Sequence, residues 1–149
     1  MAEVRTYGLT DTQHKWVGSA MTWAFITGVL LSGLAFSDRY VLIRIVFALP
    51  ALAFIRVNNG RFFSSLEACS NPYQYSHLYK KECGYLRGLE FACGLLGVVI
   101  TGAYYLFHYT GIGAITLLLF GSVATISAIG YCMNQLGSRV HLRALGVVK

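Results

Sequence analysis

Long apolar runs constrain this chain more than any other feature. Residues 16–37, 89–108 and 112–134 each extend for about 20 residues or more, and the only interior charge is Glu90, at the edge of the second run. A helix rises about 1.5 Å per residue, so each run is long enough to cross the roughly 30 Å hydrocarbon core of a bilayer. The sequence therefore predicts at least three transmembrane helices.

A fourth apolar run, residues 40–56, is shorter and is interrupted by Arg44 and Pro50. We interpret it as a membrane helix too, because it would otherwise be stranded between one span and a polar loop. Composition agrees, since 56% of the 149 residues are apolar and only 12% are charged, against roughly 25% charged in an ordinary globular domain. The expected fold is one all-α integral membrane domain with four transmembrane helices.

The connections between the runs predict how the spans are ordered. Residues 37–39 and 109–111 are links so short that spans one and two, and spans three and four, should form two antiparallel hairpins. Both termini then lie on one side of the membrane, together with the polar interfacial segment 57–88 between the hairpins. Thr10 and Gln13 have the spacing of a capping box, so the first helix is expected to begin before the bilayer.

Positive charge is distributed unequally between the two sides of this topology. Of the 12 Lys and Arg residues, only Arg39 and Arg44 fall on the side opposite the termini. The positive-inside rule therefore places the termini in the cytosol, matrix or stroma. The net charge of +6 is scattered, and no motif that reads bases accompanies it. Anionic lipids are the expected partner of these cations, and nucleic acid is not.

Small residues recur every four positions along several spans, a spacing that lets helix backbones approach closely in lipid. The ladder of span one consists of Ala20, Ala24, Gly28 and Ser32, that of span three of Gly84, Gly88 and Ala92, and one stripe of span four of Ala124, Ala128 and Cys132. These stripes outnumber the contacts that one four-helix bundle needs. The surplus predicts contacts with other membrane subunits.

The polar segment contains aromatic residues that suit a contact surface. A helix is expected from Asn71 onward into span three, and it carries Tyr73, Tyr75, Tyr79 and Tyr85. Tyrosine offers rigid contact area and a hydroxyl for hydrogen bonds, which favours a partner interface. The alternative is a belt of aromatic rings at the headgroup level.

Phe62 and Phe63, earlier in the same segment, permit two interpretations of equal weight. They could lie in the lipid boundary as part of a short interfacial turn. They could equally belong to a tight loop packed on the bundle.

Charges inside the spans often indicate function, and here they are Arg44 and Glu90. They lie near opposite sides of the membrane and cannot pair with each other. Asp38 is expected near Arg44, and Arg87 near Glu90. No charge falls at mid-bilayer, so no proton or ion path is predicted.

Other reactive side chains give no catalytic or metal-binding pattern. His14 and His141 could meet at one membrane side, but hydrogen bonding is favoured over haem or metal binding. Cys69 and Cys83 lack zinc-ligand spacing. They are expected to be free thiols in a reducing compartment, whereas an oxidising one would allow a disulfide. We expect no catalytic residue, cofactor or metal, while a bound phospholipid is compatible with such a chain.

The combined pattern predicts a non-catalytic accessory or structural subunit of a multi-subunit membrane complex. An energy-transducing complex, such as a respiratory-chain complex or an ATP synthase, is expected because such complexes contain many small basic subunits. The expected location is the mitochondrial inner membrane with both termini in the matrix, and the endoplasmic reticulum is the alternative. The alternative function is a small membrane enzyme or carrier for lipophilic substrates, with the polar segment as its mouth.

Overall fold

Four long helices make up the chain in the computed structural model, which describes residues 8–36, 40–66 and 78–146. In chain order they are α1 (Asp11–Phe36), α2 (Val41–Ser64), α3 (Lys80–Phe107) and α4 (Gly111–Ala144). Each of the four is long and apolar enough to cross a membrane. The all-helical class and the number of candidate spans are therefore confirmed, while the link at residues 37–39 lies outside the described residues.

The helices continue beyond the apolar runs that predicted them. α2 extends past residue 56 to Ser64, α3 already begins at Lys80, and α4 extends past residue 134 to Ala144. Hydropathy identifies only the part of a helix that is apolar enough to lie in hydrocarbon. The helix itself can extend further where its terminal turns pack against other residues. Much of the described part of the predicted polar segment 57–88 is therefore helical and continuous with the spans.

The start of α1 has the predicted capping box. The Thr10 hydroxyl accepts a hydrogen bond from the Gln13 backbone N–H (3.3 Å), and the Gln13 side-chain oxygen accepts one from the Thr10 N–H (3.0 Å). This reciprocal pair satisfies two backbone donors that the helix leaves open. The Gln13 amide also donates to the Ser65 hydroxyl at 2.9 Å, so the cap ties the start of α1 to the end of α2.

α1 and α3 form the centre of the molecule, and α2 and α4 flank them. α1 packs against α2 and α3, and α3 packs against α4. Buried residues make up 39% of the most apolar stretch of α1 and 33% of that of α3, but only 17% and 11% of those of α2 and α4. The two flanking helices therefore direct most of their apolar side chains outward.

A hydrophobic end cluster gathers the start of α1, the end of α2, the start of α3 and the end of α4. Its buried members are Val17, Phe62, Phe63, Tyr79, Leu86, Leu89, Leu136 and Val140. Phe62 and Phe63 are 1% and 4% exposed, which corrects the interpretation that placed them in the lipid boundary. Both rings pack on the bundle, as the alternative interpretation predicted. They do so from the last turn of α2, whereas that interpretation placed them in a loop.

Candidate functional site

A close backbone contact joins α1 to α3 at glycine residues. A Cβ added to Gly28 would collide with the carbonyl group of Gly94. A Cβ added to Gly97 would stand 2.6 Å from the carbonyl oxygen of Phe25 and 3.1 Å from the backbone nitrogen of Val29. Only residues without a side chain allow backbones to approach this closely.

The small-residue ladders differ in what they contact. All four members of the α1 ladder (Ala20, Ala24, Gly28 and Ser32) are buried. In α3, Ala92 is buried and Gly88 faces the Cys132 sulfur of α4, whereas Gly84 is exposed with nothing within 4 Å of its Cβ position. Gly94 and Gly97, which lie outside the α3 ladder, provide the close contact with α1.

Polar side chains join α2 to its neighbours. The Asn58 amide donates to the Ser19 hydroxyl of α1 at 3.0 Å, and the rings of Trp23 and Phe54 stack with centroids 4.7 Å apart. Double-mutant cycles in a folded membrane protein give about 0.6 kcal/mol on average for such a hydrogen bond. The contacts fix α2 at the end where the hydrophobic end cluster lies.

The two predicted intramembrane charges have partners that the sequence did not indicate. The Glu90 carboxyl group lies near the Asn59 side chain of α2, in addition to its proximity to Arg87. The Arg44 guanidinium occupies the space that a side chain at Gly33 would fill. Asp38, the expected neighbour of Arg44, lies outside the described residues. Both charges therefore serve contacts between helices.

A buried ion cluster, which sequence analysis missed, joins the start of α3 to the end of α4. Glu82 is 0% exposed, and its Oε1 accepts a hydrogen bond from Arg143 Nε at 2.8 Å. The same oxygen lies 3.4 Å from Arg139 Nε. The Arg143 guanidinium lies over the Tyr79 ring, 4.3 Å from its centroid. We call these four residues the Glu82 cluster.

Helix electrostatics favour this placement of the charges. Glu82 lies in the first turn of α3 and Arg143 in the last turn of α4. A negative charge near a helix N-terminus and a positive charge near a C-terminus are each stabilised by the helix dipole. Opposite charges at the facing ends of consecutive helices were the sequence signal that could have revealed the cluster.

Tyr79 belongs to the interior of its own bundle. It is 7% exposed, its ring packs near Phe63, and its hydroxyl donates to the carbonyl oxygen of Leu66 at 3.0 Å. The ring therefore packs against its own bundle on three sides, and the assignment of Tyr79 to a partner interface stays a prediction. Tyr85 is partly buried against the hydrophobic end cluster, and Tyr73 and Tyr75 lie outside the described residues.

Two grooves of about 380 Å³ each open on the surface. One lies between α3 and α4, with apolar walls and the His108 ring at one end. The other lies between the start of α1 and α4, and His14 and Asn134 line it. In the parts of the chain that the structure describes, no three His, Cys, Asp or Glu residues are grouped to hold a metal ion.

The described cysteines lie outside both grooves. Cys83, Cys93 and Cys132 are free, and neither groove has a cysteine among its lining residues. Cys69 lies outside the described residues. The polar groups that the structure brings together act mainly in contacts between helices.

Comparisons with protein-family models, curated proteins and solved structures find no match for this chain.

Proposed function

We propose that this chain is a non-catalytic accessory subunit of a multi-subunit membrane complex, and that the complex is an energy-transducing one. The observation that carries the proposal is the unequal packing of the helices. α1 and α3 form a centre with a backbone-to-backbone contact, while α2 and α4 leave most of their surface open. Such a chain has two broad flanks on which other membrane helices can pack.

α4 provides the more specific surface for a neighbouring subunit. Ala124 and Ala128 are exposed on it, four residues apart on one face of the helix. Lipid tails gain nothing from small side chains, whereas another helix can approach closely where they lie. We therefore place a subunit contact along this face of α4.

Ala128→Leu should release the chain from its complex without unfolding it. The added bulk would hold the neighbouring helix away, while nothing inside the chain would be displaced. Native gel electrophoresis with mass spectrometry of the co-migrating chains measures the loss, and a thermal melt of the isolated variant should match the wild type. Thr22→Leu, at an exposed position of α1 and on neither flank, is the control and should remain assembled. Wild-type assembly of the Ala128 variant would contradict the proposed contact.

A small membrane enzyme or carrier for lipophilic substrates is the second candidate. The groove between α1 and α4 supports it, because His14 and Asn134 stand beside apolar walls there. The same native-gel experiment separates the two functions. A subunit is expected to migrate with a defined set of other chains, whereas a carrier is expected to migrate alone and to bind a ligand in detergent.

We also propose the membrane arrangement that the sequence predicts, with two antiparallel hairpins in the mitochondrial inner membrane and both termini in the matrix. Exposed cations support it, since Lys15, Arg61 and Lys81 all lie at the end of the molecule that holds the hydrophobic end cluster. The positive-inside rule assigns this end to the matrix side. Cell fractionation distinguishes the inner membrane from the endoplasmic reticulum.

Labelling of single cysteines tests this topology. In a background without native cysteines, Lys81→Cys should react with an impermeant maleimide only from the side that carries the termini. Tyr109→Cys should react only from the opposite side. Both positions are exposed, so burial does not limit the reaction. Labelling of both from the same side would exclude the two-hairpin arrangement.

A further inference from the structure

The Glu82 cluster contains more positive than negative charge. Two guanidinium groups share one carboxylate, and both direct Nε towards the same oxygen, at 2.8 Å for Arg143 and 3.4 Å for Arg139. Nε of Arg139 is buried and has no hydrogen-bond partner, and the Nη nitrogens of both arginines form no hydrogen bond with the described residues. Among the described residues, the cluster therefore has a net charge of about +1 and several unused donors.

Part of each arginine side chain remains accessible from outside the bundle. The side chains of Arg139 and Arg143 are 22% and 16% exposed, whereas Glu82 is fully enclosed behind them. Lys80 and Lys81 precede Glu82 and are exposed, so further positive charge lies near the cluster. An incoming ligand would meet the guanidinium groups before it met the carboxylate.

The depth of the cluster indicates what such a ligand would be. Glu82 lies 25 residues before Phe107, the last residue of α3, which corresponds to about 38 Å along the helix. With an ordinary tilt of about 20° the height is about 36 Å. If Phe107 marks one boundary of a hydrocarbon layer of roughly 30 Å, Glu82 stands in the opposite headgroup layer.

The arginine side chains reach the same layer from α4. Side chains on a helix lean towards its N-terminus, so Arg139 and Arg143, near the end of α4, lean back towards the bilayer. The groups that occupy this layer at high concentration are lipid phosphates. A planar guanidinium group can donate two parallel hydrogen bonds to a phosphate.

We propose that Arg139 and Arg143 bind the phosphate group of an anionic phospholipid, and that Glu82 holds the two guanidinium groups in position for it. Arg139 supplies most of the contact because its ion pair with Glu82 is the longer one, whereas Arg143 is also engaged with the Tyr79 ring. A preorganised pair loses less conformational entropy on binding than two free surface arginines do. The proposal is independent of which complex the chain joins.

Lipid retention measured by native mass spectrometry tests this site. The chain, purified in a neutral detergent, is incubated with equal amounts of phosphatidylglycerol and phosphatidylcholine, and the bound fraction of each is compared. We expect the wild type to retain phosphatidylglycerol selectively. Arg139→Gln should reduce that retention about tenfold, the scale of one lost charge-assisted contact. Arg87→Gln removes the same charge from an exposed position on α3 and should change retention less than twofold.

A second variant and a thermal melt separate loss of the binding geometry from loss of charge and from loss of folding. Arg139→Lys keeps the charge but loses the planar fork, so we expect it to resemble Arg139→Gln more than the wild type. A thermal melt identifies any variant that fails to fold, and the lysine variant then serves in its place. Equal losses in the Arg87 and Arg139 variants would overturn the proposal, because they would indicate diffuse attraction only. Stabilisation by inorganic phosphate that depends on Arg139, without preference between the two lipids, would overturn the lipid assignment.

Discussion

Replacing Glu82 by glutamine is expected to destabilise the fold by about 3 kcal/mol. The substitution keeps the shape of the side chain but removes the carboxylate that, among the described residues, compensates Arg139 and Arg143. Removal of one partner from a buried ion pair typically costs about 3–5 kcal/mol. The lower value applies here because both guanidinium groups retain some contact with solvent. Unfolding in mixed micelles of a neutral detergent and dodecyl sulfate measures the change.

A control and a double variant make this expectation specific. Lys81→Gln removes a charge from an exposed neighbouring position and should change stability by no more than about 0.5 kcal/mol. Glu82→Gln combined with Arg143→Gln should be less destabilised than the sum of the two single variants, because the second change removes a charge that the first left unpaired. Additive losses would indicate that the carboxylate and Arg143 do not interact in the membrane protein.

Replacing Gly28 by leucine is expected to separate α1 from α3 and to cost about 3 kcal/mol. The first added carbon atom would already meet the backbone of Gly94, which cannot rotate away as a flexible side chain could. Overfilled contacts typically cost about 1–3 kcal/mol, and the upper value applies because two backbones must move. Gly28→Ala should show a smaller loss in the same direction.

Gly18 provides a matched control on the same helix. Nothing lies within 4 Å of its Cβ position, so Gly18→Leu should leave the stability within about 0.5 kcal/mol of the wild type. The same micelle unfolding experiment applies to both variants. Equal stability of the Gly28 and Gly18 variants would show that α1 does not pack on α3 through this face.

The sequence predicted the helices well because lipid imposes a simple requirement on length and polarity. Runs such as residues 112–134 satisfy that requirement without reference to any other part of the chain. The ends of the helices were harder to predict. α4 continues to Ala144 because its last turns pack against α3, and no local pattern reports that contact.

Contacts between helices could be predicted from the sequence only where the residue pattern within a single helix indicated them. The α1 ladder contains Gly28, and that residue is buried in the structure. Its counterpart is Gly94, which lies outside the four-residue ladder of α3. The face that α3 turns towards α1 depends on how the two helices are rotated about their axes. That rotation is a property of the assembled molecule.

The Glu82 cluster escaped prediction for a related reason. Glu82 and Arg143 are separated by 61 residues, and charges at helix ends ordinarily remain in water. Recognition of the pair requires knowing that α3 and α4 are neighbours with facing ends. Tyr79 shows the same effect, because its burial depends on Arg143 and Leu66, which are remote from it in sequence.

The position of the hydrophobic end cluster gives the molecule two different responses to cooling. In the proposed membrane arrangement, Leu86 and Leu136 of this cluster pack at the end of the bundle where the hydrocarbon layer gives way to water. Expulsion of water then stabilises that end, and this driving force weakens in the cold. The contact of Gly28 with Gly94 relies on close packing of backbones in lipid and does not depend on water in this way. Chilling should therefore loosen the end that meets the aqueous phase first, while the α1–α3 contact within the bilayer persists.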